Sequence, residues 1–160
     1  ISLFRLPRVI LRLMKVGPMA KDAQAILNLL TDPRRTSFWI VTMPEELPVK
    51  ECEELIQVNE EVLHLPLDRI VMNQDWDWAG VRDWREQEGN LAGETGIQPG
   101  VKETLSYLQE RLDGQSAHKA QLQAQYGEQM LFFPFLPVQP FTDVELEQLA
   151  SIITDAFKSE

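Results

Sequence analysis

Phe38-Trp39-Ile40-Val41-Thr42-Met43 is a continuous apolar run closed by Pro44, and Arg69-Ile70-Val71-Met72-Asn73-Gln74 is a second run of the same kind. Between them, Pro48 to Leu63 carries Cys52, Leu55, Ile56, Val62 and Leu63 in a helical pattern. Strand, helix, strand over roughly 30 residues is the βαβ signature. Its strands are parallel and its crossover is nearly always right-handed. Continuous rather than alternating hydrophobicity predicts a strand buried on both faces. A third run, Met130-Leu131-Phe132-Phe133, follows a long polar helix predicted over Val101 to Tyr126, with Leu105, Leu108 and Leu112 as its apolar stripe and Gly114 as its breaking point. The fold class is therefore α/β, with three visible parallel strands and flanking helices. So small a parallel sheet leaves a bare apolar edge, and further strands are expected upstream of Ile1.

Before the first strand the texture is helical. Pro7 suits a first helical turn, and Val9, Ile10, Leu13 and Val16 recur at helical spacing until Gly17-Pro18. A second helix runs from Met19 to Leu30 and ends at Thr31-Asp32-Pro33. Residues 1–35 are thus expected to form an N-terminal helical hairpin, and residues 36–160 the α/β part. Within the latter, residues 75–100 combine five glycines and Pro99 with Trp76, Trp78 and Trp84 and show no period, which predicts an irregular insertion. Pro134 to Pro140 predicts a proline-rich turn, and Thr142 is placed to cap a closing helix that ends at Phe157.

Composition removes several functions. The 160 residues hold 15 Lys and Arg against 25 Asp and Glu, and the formal charge of −10 repels phosphate backbones, so no nucleic-acid partner is expected. The asymmetry is local: residues 1–35 hold seven basic and two acidic groups, the remainder eight and 23. No apolar stretch reaches the roughly 18 residues of a membrane-spanning helix. Cys52 is the one cysteine, which excludes an internal disulfide and a multi-cysteine zinc site, and points to a reducing, cytoplasmic setting. The start at Ile1, without Met or a recognisable leader, reads as a fragment.

A self-contained active site is not evident. His64 and His118 lack metal-ligand spacing, and no phosphate-binding Gly-x-x-x-x-Gly-Lys-Ser/Thr loop occurs. Cys52 sits between Glu51 and Glu53, whose charge disfavours a thiolate. Open α/β sheets bind ligands at the carboxyl ends of their strands, which directs attention to Thr42-Met43-Pro44-Glu45, Asn73-Gln74 and Pro134 to Gln139. An Asn amide can pair with a base edge, and a proline-rich turn leaves backbone polar groups for a planar ligand such as a purine. The same residues serve equally as turn formers and strand terminators.

Leu29-Leu30-Thr31-Asp32-Pro33-Arg34-Arg35-Thr36-Ser37-Phe38, continuing through Val41-Thr42-Met43-Pro44-Glu45, resembles the Leu-Leu-Thr-Asp-Pro to Val-Thr-x-Pro-Glu segment of the arsenical-pump and tail-anchored-protein-targeting ATPases. Glu51, Glu53 and Leu55 resemble the family's Glu-x-Glu-x-Leu helix. Val71-Met72-Asn73-Gln74 is similar to its Val-x-Asn-Gln strand end, and Pro134-Phe135-Leu136-Pro137 to its Pro-Leu-x-Pro loop. Phe4-Arg5-Leu6-Pro7 looks like the helix start that follows the family's second switch.

The resemblance implies the carboxyl-terminal half of a dimerising, Mg-dependent ATPase with a P-loop NTPase fold, whose phosphate loop, switches and Mg ligands would precede Ile1. It also implies that nucleotide, ATP or ADP, meets Glu45, Asn73, Pro134, Phe135, Leu136, Pro137, Val138 and Gln139, with Asn73 on adenine and Glu45 near the dimer interface. No catalytic residue of phosphoryl transfer is expected within these 160 residues. Two departures matter. Residues 75–100 contain no cysteine where eukaryotic targeting members clamp a shared zinc, so no zinc is expected, and one thiol is too few for a metalloid site. The family's acidic-hydrophobic-Arg-Gly is replaced by Val138-Gln139-Pro140-Phe141.

By the same resemblance, the hairpin offers Leu6, Val9, Ile10, Leu13 and Met14 as a surface for a hydrophobic protein client or a membrane partner. Such stripes also serve as ordinary core. Arg5, Arg8, Arg12 and Lys15 form a cationic stripe beside them. The rival reading is a non-catalytic interaction domain that keeps the fold and has lost ATP hydrolysis.

Overall fold

The structure is a computed structural model that describes residues 2–76, 99–136 and 142–158. Helices α1 (Ser2–Leu13) and α2 (Pro18–Thr31) precede strand β1 (Phe38–Thr42). Helix α3 (Glu46–Val58) passes into a π-helical turn, Asn59–Leu63, and strand β2 (Leu67–Asp75) follows. Helix α4 (Pro99–Tyr126), a 3-10 turn, strand β3 (Met130–Pro134) and helix α5 (Asp143–Lys158) complete the order. The three strands form one parallel sheet in the order β1-β2-β3, so the expected α/β fold with an N-terminal helical hairpin is what the chain adopts. No helix among the described residues is long and apolar enough to cross a membrane.

Burial on both faces holds at the central strand alone. Ile70, Val71 and Met72 of β2 are buried in succession, which covers both faces because successive side chains alternate. In β1, Ile40 and Thr42 are buried but Val41 between them is 65% exposed, so the expectation of a doubly covered first strand is corrected. Because successive side chains alternate between faces, one face of β1 is covered, at Ile40 and Thr42, and the other is left open at Val41. β3 likewise buries Met130 and leaves Leu131 to Pro134 half-buried.

The chain divides into two compact units, Ile1–Ile40 with Lys50–Arg69, and Val41–Val49 with Ile70–Glu160. In the first, α1 packs on α2, and Pro7, Ala20 and Ala23 are the buried residues of the pair. The Phe4 ring meets Phe38 edge-on at 6.1 Å. Arg8 donates through Nη2 to the Leu63 carbonyl, 2.5 Å away, at the end of the π-helical turn. That turn is locked from inside: buried Asn59 donates Nδ2 to the Leu65 carbonyl and accepts the Leu65 amide at Oδ1, at 2.9 and 3.0 Å. His64 adopts the left-handed conformation between them, φ 50°, which stops the helix and aims the chain into β2.

The register where β1 enters beside β2 is set by polar contacts. Phe38 donates its amide to the Pro66 carbonyl at 2.8 Å, and Ser37 Oγ and Trp39 Nε1 donate to Asp68 Oδ2 at 2.7 and 3.1 Å. Burial pushes the Asp68 carboxyl upward, but those two donors and the Arg69 guanidinium outweigh it and hold it below its ordinary 3.8. Cys52 is buried, and burial with the adjacent Glu53 charge pushes its thiol to about 11, in line with a structural rather than nucleophilic cysteine.

In the second unit, Ile70, Val71 and Met72 of β2 pair with Met130, Leu131 and Phe132 of β3. Helix α4 runs unbroken through Gly114 and buries Leu112, Gln115 and Leu122, a stripe at spacings of three and seven. The leucine stripe therefore continues C-terminally beyond Leu112, with a polar residue inside it. Of the segment expected to be irregular, Asp75 belongs to β2 and Pro99 and Gly100 open α4, while residues 77–98 lie outside the described residues. The closing helix is capped as expected: Val144 donates its amide to Thr142 Oγ1 at 3.3 Å, and Glu145 accepts the Thr142 amide at 2.7 Å, a reciprocal cap.

Two outcomes follow from these contacts. A Cβ at Gly114 would meet nothing within 4 Å, so Gly114→Ala removes the helix-interior glycine penalty without a clash. Its unfolding free energy should rise by roughly 0.5–1 kcal/mol, read as a shifted urea midpoint at constant slope. For Asp68, the depressed folded pKa means its contribution is complete above the unfolded value of 3.8 and disappears as pH falls through the folded value. Asp68→Asn should therefore lower stability at neutral pH, and its deficit against wild type should shrink as thermal melts are repeated below about pH 4.

Candidate functional site

The carboxyl ends of all three strands fall in the second unit. After β1, Pro44 is fully buried, and Glu45 lies at the start of α3 with its carbonyl accepting the Val49 amide at 3.0 Å. Buried Thr42 donates its hydroxyl to the Pro48 carbonyl at 2.9 Å, which closes the turn between strand and helix. The Glu45 side chain is left half exposed.

Asn73 does not terminate β2. The strand continues to Asp75, and the register with β3 shifts between Met72 and Asp75, so Asn73 and Gln74 form a β-bulge. Gln74 takes φ 57°, a left-handed conformation that costs a non-glycine residue about 1 kcal/mol or more. The bulge returns Asp75 to register opposite Pro134. It leaves Asn73 half-buried beside the end of β3.

From there a chain of contacts crosses the strand ends. The Phe135 amide donates to the Asp75 carbonyl at 2.7 Å, and the Phe135 ring stacks on Trp76 with centroids 4.7 Å apart and planes 17° from parallel. The Arg111 guanidinium of α4 lies 4.9 Å from the Trp76 ring centroid, and its Nη2 donates to Glu45 Oε1 at 2.9 Å. Buried Gln115, one turn further along α4, accepts the Trp76 amide at 3.2 Å. Lys119, one turn further again, grips both carboxylate oxygens of Asp75 at 2.9 and 3.0 Å.

A shallow open cavity of about 290 Å³ lies between residues 44–46 and the α4 face carrying Arg111, Gly114, Gln115 and His118. Of the residues expected to meet nucleotide, Glu45 lines it; Asn73, Pro134, Phe135 and Leu136 stand at the ends of β2 and β3 instead. Pro137, Val138 and Gln139 lie outside the described residues. The expectation that the proline-rich turn keeps its amides unpaired is corrected at Phe135, whose N–H is taken by Asp75. Pro134 has no amide hydrogen to offer.

Sequence reading missed Arg111, Gln115 and Lys119. A signal was present: Leu112, Gln115, Lys119 and Leu122 follow a three-four-three spacing, so two polar residues interrupt an apolar stripe. Polar groups in a buried stripe must find partners, and here the partners are the strand ends. Among the described residues, no three His, Cys, Asp or Glu side chains converge to hold a metal ion. The client or partner residues lie in the first unit: Leu6, Val9, Leu13 and Met14 are exposed and Ile10 is half-buried.

The two pairs differ in energetic weight. Glu45 and Arg111 are 46% and 31% exposed, where such a pair contributes at most about 1 kcal/mol. Asp75 and Lys119 are 9% and 12% exposed, and removing one partner strands a buried charge. Lys119→Met should cost about 3 kcal/mol, seen as a lower urea midpoint, whereas Arg111→Met should cost less than about 1 kcal/mol. Equal losses from the two variants would contradict this division of roles.

Comparison with known proteins gives one partial match. Residues 8–78 match the family model described as anion-transporting ATPase, and no curated protein matches the chain. The matched span holds the Thr-Asp-Pro segment, β1, α3 and β2, and includes both Glu45 and Asn73. Residues 8–78 of this chain are thus similar to the anion-transporting ATPase family.

Proposed function

We propose that this chain is the carboxyl-terminal half of a dimerising, zinc-free, Mg-dependent ATPase, and that it supplies adenine recognition and a helical surface for a hydrophobic partner. The observation that carries the reading is the family match over a span that contains Asn73 and Glu45 at the carboxyl ends of neighbouring strands. Ligands of open α/β sheets lie outside those ends.

In this reading the Asn73 amide pairs with the base edge, and the ends of β2 and β3, joined at Asp75 and Pro134, form the wall beside it. Phe135 and Trp76 keep that wall rigid through their stack. Glu45, held by Arg111, stands where a second subunit would approach. Phosphoryl-transfer groups and the Mg ligands belong to other residues of the ATPase, and Mg there supplies charge neutralisation of the phosphates. Freedom from zinc is supported by Cys52, the one thiol of the sequence, being buried. Nucleotide shared between two subunits favours the closed dimer only by the difference in its affinity for the two states. A cytoplasmic setting belongs to the same proposal.

Titration with a fluorescent ATP analogue tests this directly. Binding should weaken roughly tenfold in Asn73→Ala, the loss of about one or two hydrogen bonds, and Mg-dependent turnover of the intact protein should fall with it. Wild-type protein that folds but binds no nucleotide would overturn the reading in favour of a non-catalytic interaction domain.

A further inference from the structure

The exposed side of α1 combines apolar and cationic residues in one arc. At 3.6 residues per turn, Leu6, Val9 and Leu13 share a stripe, and Arg5 and Arg12 border it on one flank. Leu6 is 48% exposed, Val9 45% and Leu13 80%, while Pro7, on the opposite side, is the buried residue that faces inward. The apolar arc is therefore wider than the side that packs. Past the helix end, Val16 and Met19 are also more than half exposed. A soluble helix packed for stability alone presents its polar face to water, and α1 does not.

We propose that this face of α1 docks in the plane of an anionic lipid surface, with Leu6, Val9 and Leu13 entering the acyl boundary and Arg5 and Arg12 meeting the headgroups. Charge favours this occupant: residues 1–35 hold seven basic and two acidic groups in a chain whose net charge is −10, so attraction to an anionic surface is confined to the hairpin. Length favours it too. Twelve residues of α1 span about 18 Å, short of the roughly 30 Å that a groove for a membrane-spanning helix must cover, whereas a helix lying in the interface needs no such length. The inference rests on reading the hairpin as a partner surface and is independent of nucleotide binding.

Flotation of the full chain with vesicles tests it, using phosphatidylcholine alone and phosphatidylcholine mixed with phosphatidylglycerol. The chain should float with the mixed vesicles, less so as salt is raised. Arg5→Gln with Arg12→Gln should weaken binding about 30-fold, two cations each worth about fivefold near such a surface. Leu6→Ser with Leu13→Ser should abolish flotation while circular dichroism stays unchanged. Failure of the wild type to float, or flotation that survives both variants, overturns the proposal. An apolar helical peptide crosslinked by the wild type and not by the leucine variant, without flotation, would sink the lipid reading and keep the partner surface; absence of both would sink both.

Discussion

Asp75 is held from two sides at once. Its carbonyl accepts the Phe135 amide and its carboxylate takes the Lys119 ammonium, so the end of β3 and the middle of α4 are tied to the same residue of β2. A buried carboxylate is tolerable only with a partner, and Lys119 reaches it because α4 lays one polar stripe along the strand ends. Gln115 and Arg111 follow at one-turn intervals and meet Trp76 on its amide and its ring. The positions of Asn73, Phe135 and Glu45 in the second unit all depend on this alignment.

The bulge at Asn73 and Gln74 is the complement of that constraint. An uninterrupted strand of nine residues would carry Asp75 out of phase with Pro134; one irregularity, accommodated by Gln74 in a left-handed conformation, restores the pairing. Strain of this size persists where surrounding contacts over-determine the backbone, and Asp75, Trp76 and Phe135 supply those contacts. The Glu45 to Arg111 pair contributes little stability by comparison, being half in water. Its consequence is positional: it couples the start of α3 to the face of α4 that borders the cavity.

The βαβ pattern was legible because burial at β2 leaves its mark on every residue from Ile70 to Met72, and because proline and glycine close the segments on either side. The hairpin was legible for a similar reason, with Gly17 at φ 107° breaking the chain between two periodic stretches. Double burial of β1 was over-read, since an apolar run does not say how many faces have neighbours. Asn73 was recognisable as a residue near a strand end, but its place inside a bulge was not, because a register shift depends on the partner strand about 60 residues away in sequence. Lys119 left a trace as a polar break in the α4 stripe, but its partner Asp75 and the Glu45 partner of Arg111 lie on distant segments that the sequence does not bring together.

What the amino-acid sequence determined by itself is therefore local: helix and strand positions, the capping of α5 by Thr142 and Glu145, the poor reactivity of Cys52, and the basic hairpin set against an acidic remainder. Each follows from neighbours within a few residues or from composition. Tertiary structure alone decided which apolar faces stay in water, Val41 on β1 and Leu6, Val9 and Leu13 on α1, and which charges find partners across the fold, Asp75 with Lys119 and Glu45 with Arg111. Burial and pairing are properties of elements brought together from distant positions, and a periodic pattern shows that a face is apolar without showing what covers it.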